Sequence, residues 1–370
     1  MKIAMIGHKR IPSREGGAEI VVEEISTRLA ALGHNVHVYN RKGNFVYGSR
    51  NEYQKIKEYK GVRIIQIPTI PKKGLEALVY SFFAVIRALF GRYDVIHFHA
   101  EGPGVMILVS RLFGIKSIST VHGLDWRTAK WGKFAKKYLM FGEKVIARRA
   151  SEVIVLSKNY QKYFLDNYKR DTIFIPNGVN KPIFHNASLI TEKYNLHGQD
   201  YLFFLGRIVQ GKGIEYLIDA YKQIKTDVKL VISGGSSHSN EYEKNIKEIT
   251  ASDNRIIMTG FVQGELLNEL FSNCRVYVLP SDSEGMSISL LEAMSYGRTC
   301  LVSDIPENTE VVEEYAITFK KSSTDDLKDK LEQLINNGFG RYSPEEISDF
   351  ILKKYDWDKV VDRHLELYKN

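Results

Sequence analysis

Cysteine is scarce in this chain: Cys274 and Cys300 are the two in 370 residues. Both lie in or beside apolar runs and no Cys-x-x-Cys pair occurs, which excludes a disulfide framework and suits buried thiols in a reducing compartment. A cytoplasmic protein is expected. Long apolar runs are lacking too. Met1 to Gly7 is too short for a signal-peptide core and leads straight into a polar loop. The longest apolar stretch, Leu75 to Phe90, carries Glu76 and Arg87 and is shorter than a bilayer span, so no transmembrane helix is expected. Acidic charge is sparse in the first half. Residues 1–180 hold 30 Lys and Arg against 14 Asp and Glu, and residues 181–370 hold 22 against 30, so the net +8 conceals +16 followed by −8. A basic half implies an anionic partner: membrane surface, nucleic acid or a phosphorylated substrate. With 44% hydrophobic and 26% charged residues, the chain is too long for one ordinary core and fits two globular domains.

What is present is strand–helix alternation. Apolar runs predict strands at Ile3–Ile6, Val36–Tyr39, Val62–Ile67, Asp94–Phe98, Ser117–Val121, Val153–Leu156 and Thr172–Ile175. Ala18 to Leu32 reads as a helix with Val22, Ile25, Leu29 and Leu32 on one face, closed by Gly33. Such alternation predicts a parallel sheet covered on both faces, with ligands at the carboxyl ends of its strands. The first such loop carries Gly16-Gly17, either a close approach of backbone to a ligand at a helix N-terminus or a plain turn. Gly-x-Gly-x-x-Gly spacing is missing, which weighs against a dehydrogenase.

His97 and His99 end one strand and His122 ends the next, in Thr-Val-His-Gly-Leu-Asp. With Asp125 they are either metal ligands or hydrogen-bonded cleft residues. Their spacing matches no zinc motif, and no metal is expected. From Trp126 to Arg149 the bases Lys130, Lys133, Lys136, Lys137, Lys144, Arg148 and Arg149 interleave with Trp126, Trp131, Phe134, Tyr138 and Phe141, and Glu143 is the only acid. This segment suits an anionic membrane interface, or a solvated helix with one core face. No nucleic-acid motif accompanies it, and no nucleic-acid partner is expected.

Alternation pauses after Ile175-Pro-Asn-Gly-Val179 and restarts at Tyr201, placing a boundary near 180. The strand Tyr201–Leu205 feeds a loop, Gly206 to Gly213, in which Arg207 and Lys212 can converge on one diphosphate. Farther on, the strand Val276–Leu279 ends at Pro280 and a small polar loop precedes a helix expected to start near Met286 or Ser287 and stop at Gly297. Backbone N–H groups of Gly285, Met286 and Ser287 would face a phosphate at that helix start, while Glu284 and Glu292 offer acceptors to sugar hydroxyls.

Glu284 and Glu292, eight apart, resemble the Glu-x7-Glu signature of the family 4 retaining glycosyltransferases. Gly206-Arg207 with Lys212 resembles that family's Gly-Arg-x4-Lys loop, Asp94-Val-Ile-His-Phe-His99 its Asp-Val-x-His-x-His strand end, and His122 its Thr-x-His position. The resemblance covers essentially the whole chain. It implies an α/β, GT-B fold: two doubly wound Rossmann-like domains facing across a cleft. Residues 1–180 would bind the acceptor and residues 181–352 the nucleotide sugar, with 353–370 a helix crossing back to the first domain. Asp356-Trp-Asp358 matches the Asp-x-Asp metal motif of a different glycosyltransferase fold, but reads more simply as a helix cap.

The resemblance further implies retaining, metal-independent sugar transfer without a cofactor. The donor is a nucleotide diphosphate sugar and the acceptor a lipid-linked or other saccharide. A peripheral place at the inner face of the plasma membrane is expected from the basic aromatic segment Trp126–Arg149 and the +16 charge of the first half. Glu284 and His122 would meet the sugar, Glu292 the ribose, and Arg207 and Lys212 the departing diphosphate. The opening Gly7-His-Lys-Arg-Ile-Pro-Ser-Arg-Glu-Gly-Gly17 is similar to bacterial capsule and exopolysaccharide rhamnosyltransferases, which use dTDP-rhamnose. Rhamnose has no 6-hydroxyl, so the family role of His122 at that atom would not carry over to it. A sugar-nucleotide epimerase of the same fold and a non-catalytic sugar-nucleotide-binding regulator are the rival readings.

Overall fold

A computed structural model describes residues 1–42, 56–70, 75–127, 131–235, 240–338 and 341–369. The chain divides into two compact units, Met1–Asn177 with Trp357–Asn370, and Gly178–Asp356. In the first, β1 (Lys2–Ile6), β2 (Asn35–Lys42), β3 (Glu58–Tyr59), β4 (Val62–Pro68), β5 (Val95–His99), β6 (Lys116–Val121), β7 (Glu152–Val155) and β8 (Ile173–Phe174) lie in the order β3-β4-β2-β1-β5-β6-β7-β8. Among these strands β3 alone pairs antiparallel. The central strands are apolar on both faces because helices cover both: Ile3, Ala4, Met5 and Ile6 of β1 are all fully buried. The helix Gly17–Ala31 buries Val22, Ile25 and Leu29 as its periodicity predicts, with Val21 beside them. Leu32 is not on that face: it is the helix's C-cap and 57% exposed, because the helix has ended before it and the chain turns away at Gly33, whose φ is +85°.

The second unit repeats the scheme with β9 (Tyr201–Leu205), β10 (Lys229–Ser233), β11 (Ile256–Gly260), β12 (Val276–Leu279), β13 (Thr299–Ser303) and β14 (Ile317–Phe319), all parallel, in the order β11-β10-β9-β12-β13-β14. Strand order reverses between β1 and β5 in the first sheet and between β9 and β12 in the second. Crevices open at such reversals because neighbouring connections leave to opposite faces. The loops after β9 and β12 flank one reversal, and those after β1 and β5 the other.

The C-terminal division falls later than residue 353. The helix Pro344–Lys354 lies wholly in the second unit, and Tyr355, 1% exposed, is held there by a bond from the Val179 N–H to its carbonyl at 2.8 Å. The last helix, Trp357–Lys369, belongs to the first unit. Arg28 Nε donates to Asp358 at 3.0 Å, Lys116 Nζ donates to the Leu367 carbonyl at 2.6 Å, and the Tyr368 hydroxyl lies 2.7 Å from His97 Nδ1. Asp358 is thus an ion-pair partner of Arg28. No described helix is long and apolar enough to cross a membrane.

Candidate functional site

In the second unit, Arg207, Lys212, Glu284 and the start of the helix bearing Glu292 gather at the β9/β12 reversal. The loop after β9 ends at Gly213, which precedes the helix Ile214–Lys222 with φ +68°. A Cβ there would lie 2.1 Å from the Pro280 carbonyl oxygen, so only glycine lets this loop press on the end of β12. The two loops are then stitched together. The Asp282 N–H donates to the Gly211 carbonyl at 2.9 Å, and Asp282 accepts from the Tyr216 hydroxyl at 3.0 Å and from Ser322 Oγ at 2.7 Å. Tyr216 also donates to the Pro280 carbonyl. Across this seam the Lys212 ammonium is ion-paired with Glu284, both side chains largely buried, while Arg207 reaches into solvent.

The helix after β12 is Ile288–Ser295, one step later than its sequence suggests. Ser287 is its cap, its Oγ accepting from the Leu290 N–H at 3.4 Å. Gly285 and Met286 therefore belong to the preceding loop, and the first-turn N–H groups are those of Ile288 onward. Glu292 lies half-buried in this helix. The buried Tyr277 hydroxyl donates to Ser289 Oγ at 2.7 Å, and Ser289 Oγ donates to the Leu205 carbonyl at 3.1 Å. This fixes the helix start against the strand that leads to Arg207. Tyr216, Tyr277, Asp282 and Ser289 are absent from the sequence reading. Nothing in the local pattern of a strand tyrosine or a helix serine tells which neighbour its hydroxyl will meet.

In the first unit, Gly16 precedes the helix Gly17–Ala31, and its first-turn Glu19 accepts from the Lys9 N–H at 3.0 Å. His122 follows β6, its Nε2 3.0 Å from His99 Nδ1 and its ring stacked on that of His99 at 5.2 Å. His97 is satisfied by Tyr368 and by Thr120 Oγ1 at 2.8 Å. Burial holds His97 and His99 well below the ordinary imidazole range and brings His122 down to about 4, so all three are neutral near pH 7. Among the described residues no group of three or more His, Cys, Asp or Glu side chains is placed to share a metal ion.

The basic aromatic segment divides. Lys130 lies outside the described residues. Trp126, Trp131 and Lys136 are half-buried, Trp126 donating to the buried Glu143 at 2.7 Å. On the helix Lys133–Arg149 the outward side chains are Lys133, Phe134, Lys137, Met140, Phe141, Lys144, Arg148 and Arg149. Phe134 is 83% exposed.

Chemically, the second-unit cluster joins two cations, a capped helix start and two carboxylates, a combination suited to an anionic leaving group next to a polyhydroxyl ring. The model described as Glycosyltransferase Family 4 matches residues 15–181, and that described as Glycosyl transferases group 1 matches residues 188–354. An uncharacterised glycosyltransferase of Methanocaldococcus jannaschii is 27% identical over 94% of this chain and 92% of its own length. The fold is shared with sucrose-phosphate synthase from Thermosynechococcus elongatus (TM-score 0.83, 23% identity, covering 100% of this chain and 98% of that one). It is shared also with Anabaena HepE in complex with UDP-glucose (TM-score 0.81, 17% identity, 100% and 99%). Matched unit by unit to these two models and sharing this fold, the chain belongs to the family 4 glycosyltransferases of GT-B fold.

Proposed function

We propose that the protein transfers a sugar, with retention, from a nucleoside diphosphate donor to a lipid-linked saccharide acceptor in bacterial surface-polysaccharide synthesis, with dTDP-rhamnose as the candidate donor. The observation that carries the donor part is the Lys212–Glu284 pair beside the start of the Ile288–Ser295 helix at the β9/β12 reversal. A cation, helix N–H groups and a carboxylate there match diphosphate and sugar hydroxyls in one place. The UDP-glucose complex of Anabaena HepE, which has the same fold, supports a nucleotide-sugar donor. Rhamnose, the lipid acceptor and the polysaccharide role rest on the sequence resemblance.

In this reading the bond from the anomeric carbon to the β-phosphate oxygen breaks as the acceptor oxygen bonds to that carbon on the same face. The acceptor proton passes to the departing diphosphate. Negative charge grows on that diphosphate, where Arg207 and Lys212 oppose it. Incubation with a panel of nucleotide sugars, with and without a lipid-linked acceptor, should release nucleoside diphosphate for one donor and faster with acceptor. Release should persist in EDTA. An isomerised sugar nucleotide with no diphosphate released would replace this reading with the epimerase. Binding without turnover of any donor would replace it with the regulator.

A further inference from the structure

Two carboxyl groups with no part in the transfer lie buried behind the loop that begins at His122. Glu101 and Glu143 are 0% and 1% exposed. Glu143, on the helix Lys133–Arg149, accepts three hydrogen bonds: from Trp126 Nε1 at 2.7 Å on one oxygen, and from the hydroxyls of Tyr163 at 2.8 Å and Tyr168 at 2.5 Å on the other. Glu101 comes just after β5, and its Oε1 accepts the backbone N–H of Asp125 at 3.1 Å. Consecutive residues of one loop, Asp125 and Trp126, are each held by a different buried carboxyl. Arg127 closes the arrangement, its guanidinium 5.3 Å from the Trp126 ring and 5.1 Å from that of Tyr163.

The backbone is bent to permit this. Ala100, between His99 and Glu101, has φ 74° and ψ 162°, a conformation nearly reserved for glycine, and such strain persists where the surroundings enforce it. The helix carrying Glu143 touches Glu101 directly: a Cβ on Gly142 would lie 2.1 Å from the Glu101 carbonyl oxygen. Tyr138, on the same helix, donates to the Gly102 carbonyl at 3.0 Å. Stability alone does not account for the two acids, because apolar side chains commonly fill such space at lower free energy than buried carboxyls.

We propose that Glu143, together with Glu101, is a positioning residue for His122: the two carboxyls anchor the loop His122–Arg127 from behind and keep the His122 ring on His99 at the carboxyl end of β6. The inference rests on the reading of His122 as a residue of the sugar site. Burial, more than any neighbouring charge, brings His122 down to about 4, and the titratable groups facing it are His99, His97 and, from the last helix, His364, with Glu19 and Asp125. A loop released from its anchors would admit water to this ring.

The test compares Trp126→Phe, Glu143→Leu, Glu143→Gln and His122→Gln in the full chain. It measures kcat, donor KM and, by NMR, the titration of His122. Trp126→Phe deletes the one N–H aimed at Glu143 and leaves the two tyrosine bonds, so it decides the matter should Glu143→Leu fail to fold. In Trp126→Phe and Glu143→Leu, kcat should fall about tenfold or more with donor KM little changed, because a displaced group costs chiefly in the transition state. The His122 midpoint should climb from about 4 toward the ordinary 6.5. Glu143→Gln, which keeps an oxygen for Trp126 and an amide that the tyrosine hydroxyls can accept from, should restore most of both. A folded Trp126→Phe with native His122 titration and native kcat would overturn the proposal. Full turnover in His122→Gln would instead overturn the placement of His122 in the sugar site, and the titration would still decide whether the carboxyls anchor it.

Discussion

Lys212 and Glu284 are ion-paired with each other. The ammonium is therefore oriented before any ligand arrives, and the loss of either side chain leaves the other charge half-buried without that partner. Lys212→Ala is expected to lower turnover by about 10²-fold, since the lysine opposes charge that develops on the leaving group. Its effect should not add to that of Glu284→Ala, because the two share one interaction. A double-mutant cycle on kcat/KM measures this, and full additivity would show that the pair is not coupled in the reaction. For Glu292, set in the helix rather than the seam, Glu292→Gln exchanges a charge-assisted bond to the donor for a neutral one. Nucleotide affinity, read by calorimetry, should weaken by about 1–2 kcal/mol. An unchanged Kd would remove Glu292 from the donor site.

The loops after β9 and β12 act as one element because Gly213 lets them touch. Gly213→Ala adds a Cβ 2.1 Å from the Pro280 oxygen at φ +68°, so backbone must shift. The expected loss is about 1–3 kcal/mol in denaturant unfolding, with donor affinity falling alongside. An unchanged midpoint would mean that the seam yields freely.

In the first unit the histidines at the sheet's carboxyl end and on the last helix form a second such element. His8 and His364 are brought down to about 4, burial being the largest cause, against 6.5 in the unfolded chain. A base with a depressed folded pKa favours the fold above the unfolded value, and that advantage is lost as pH falls through the window from 6.5 toward 4. Each such histidine contributes a slope of about 1.4 kcal/mol per pH unit there. Chemical denaturation at pH 7, 6 and 5 should show stability falling with acidity. A flat profile would mean that these imidazoles are protonated at little cost in the folded state.

At the scale of the whole molecule, charge is divided by sequence half, basic first and acidic second, and the helix Lys133–Arg149 turns Lys133, Lys137, Lys144 and Arg148 outward beside Phe134 and Phe141. We propose that this face contacts an anionic bilayer, each base contributing about 1 kcal/mol near such a surface. Sedimentation with anionic vesicles should exceed that with neutral ones, weaken with salt, and drop sharply when those four bases become Glu. Equal sedimentation of native and reversed-charge proteins would assign any membrane contact to another surface. Trp126, Trp131 and Lys136, which the sequence puts in the same basic aromatic segment, are half-buried and drop out of the proposed face, since a helix with a core side can present only part of its circumference to a membrane.

Local chemistry determined much of this protein from its sequence. Apolar runs bounded by turn residues mark the strands, since a strand buried on both faces must be apolar throughout, and Gly206 to Gly213 and Ser281 to Gly297 declare themselves by residue types that few other tasks need in combination. Helix starts slipped by a residue or so, as at Ser287, because several small polar residues in a row compete to cap. What only the tertiary structure decided concerns partners distant in sequence. Lys212 finds Glu284, Tyr277 finds Ser289 and Leu205, and Trp126 turns inward to Glu143 although its neighbours look like an exposed basic stripe. A hydroxyl, an indole N–H or a carboxylate carries no sequence record of its partner, because hydrogen bonds are chosen by which groups the packing of strands and helices brings within about 3 Å.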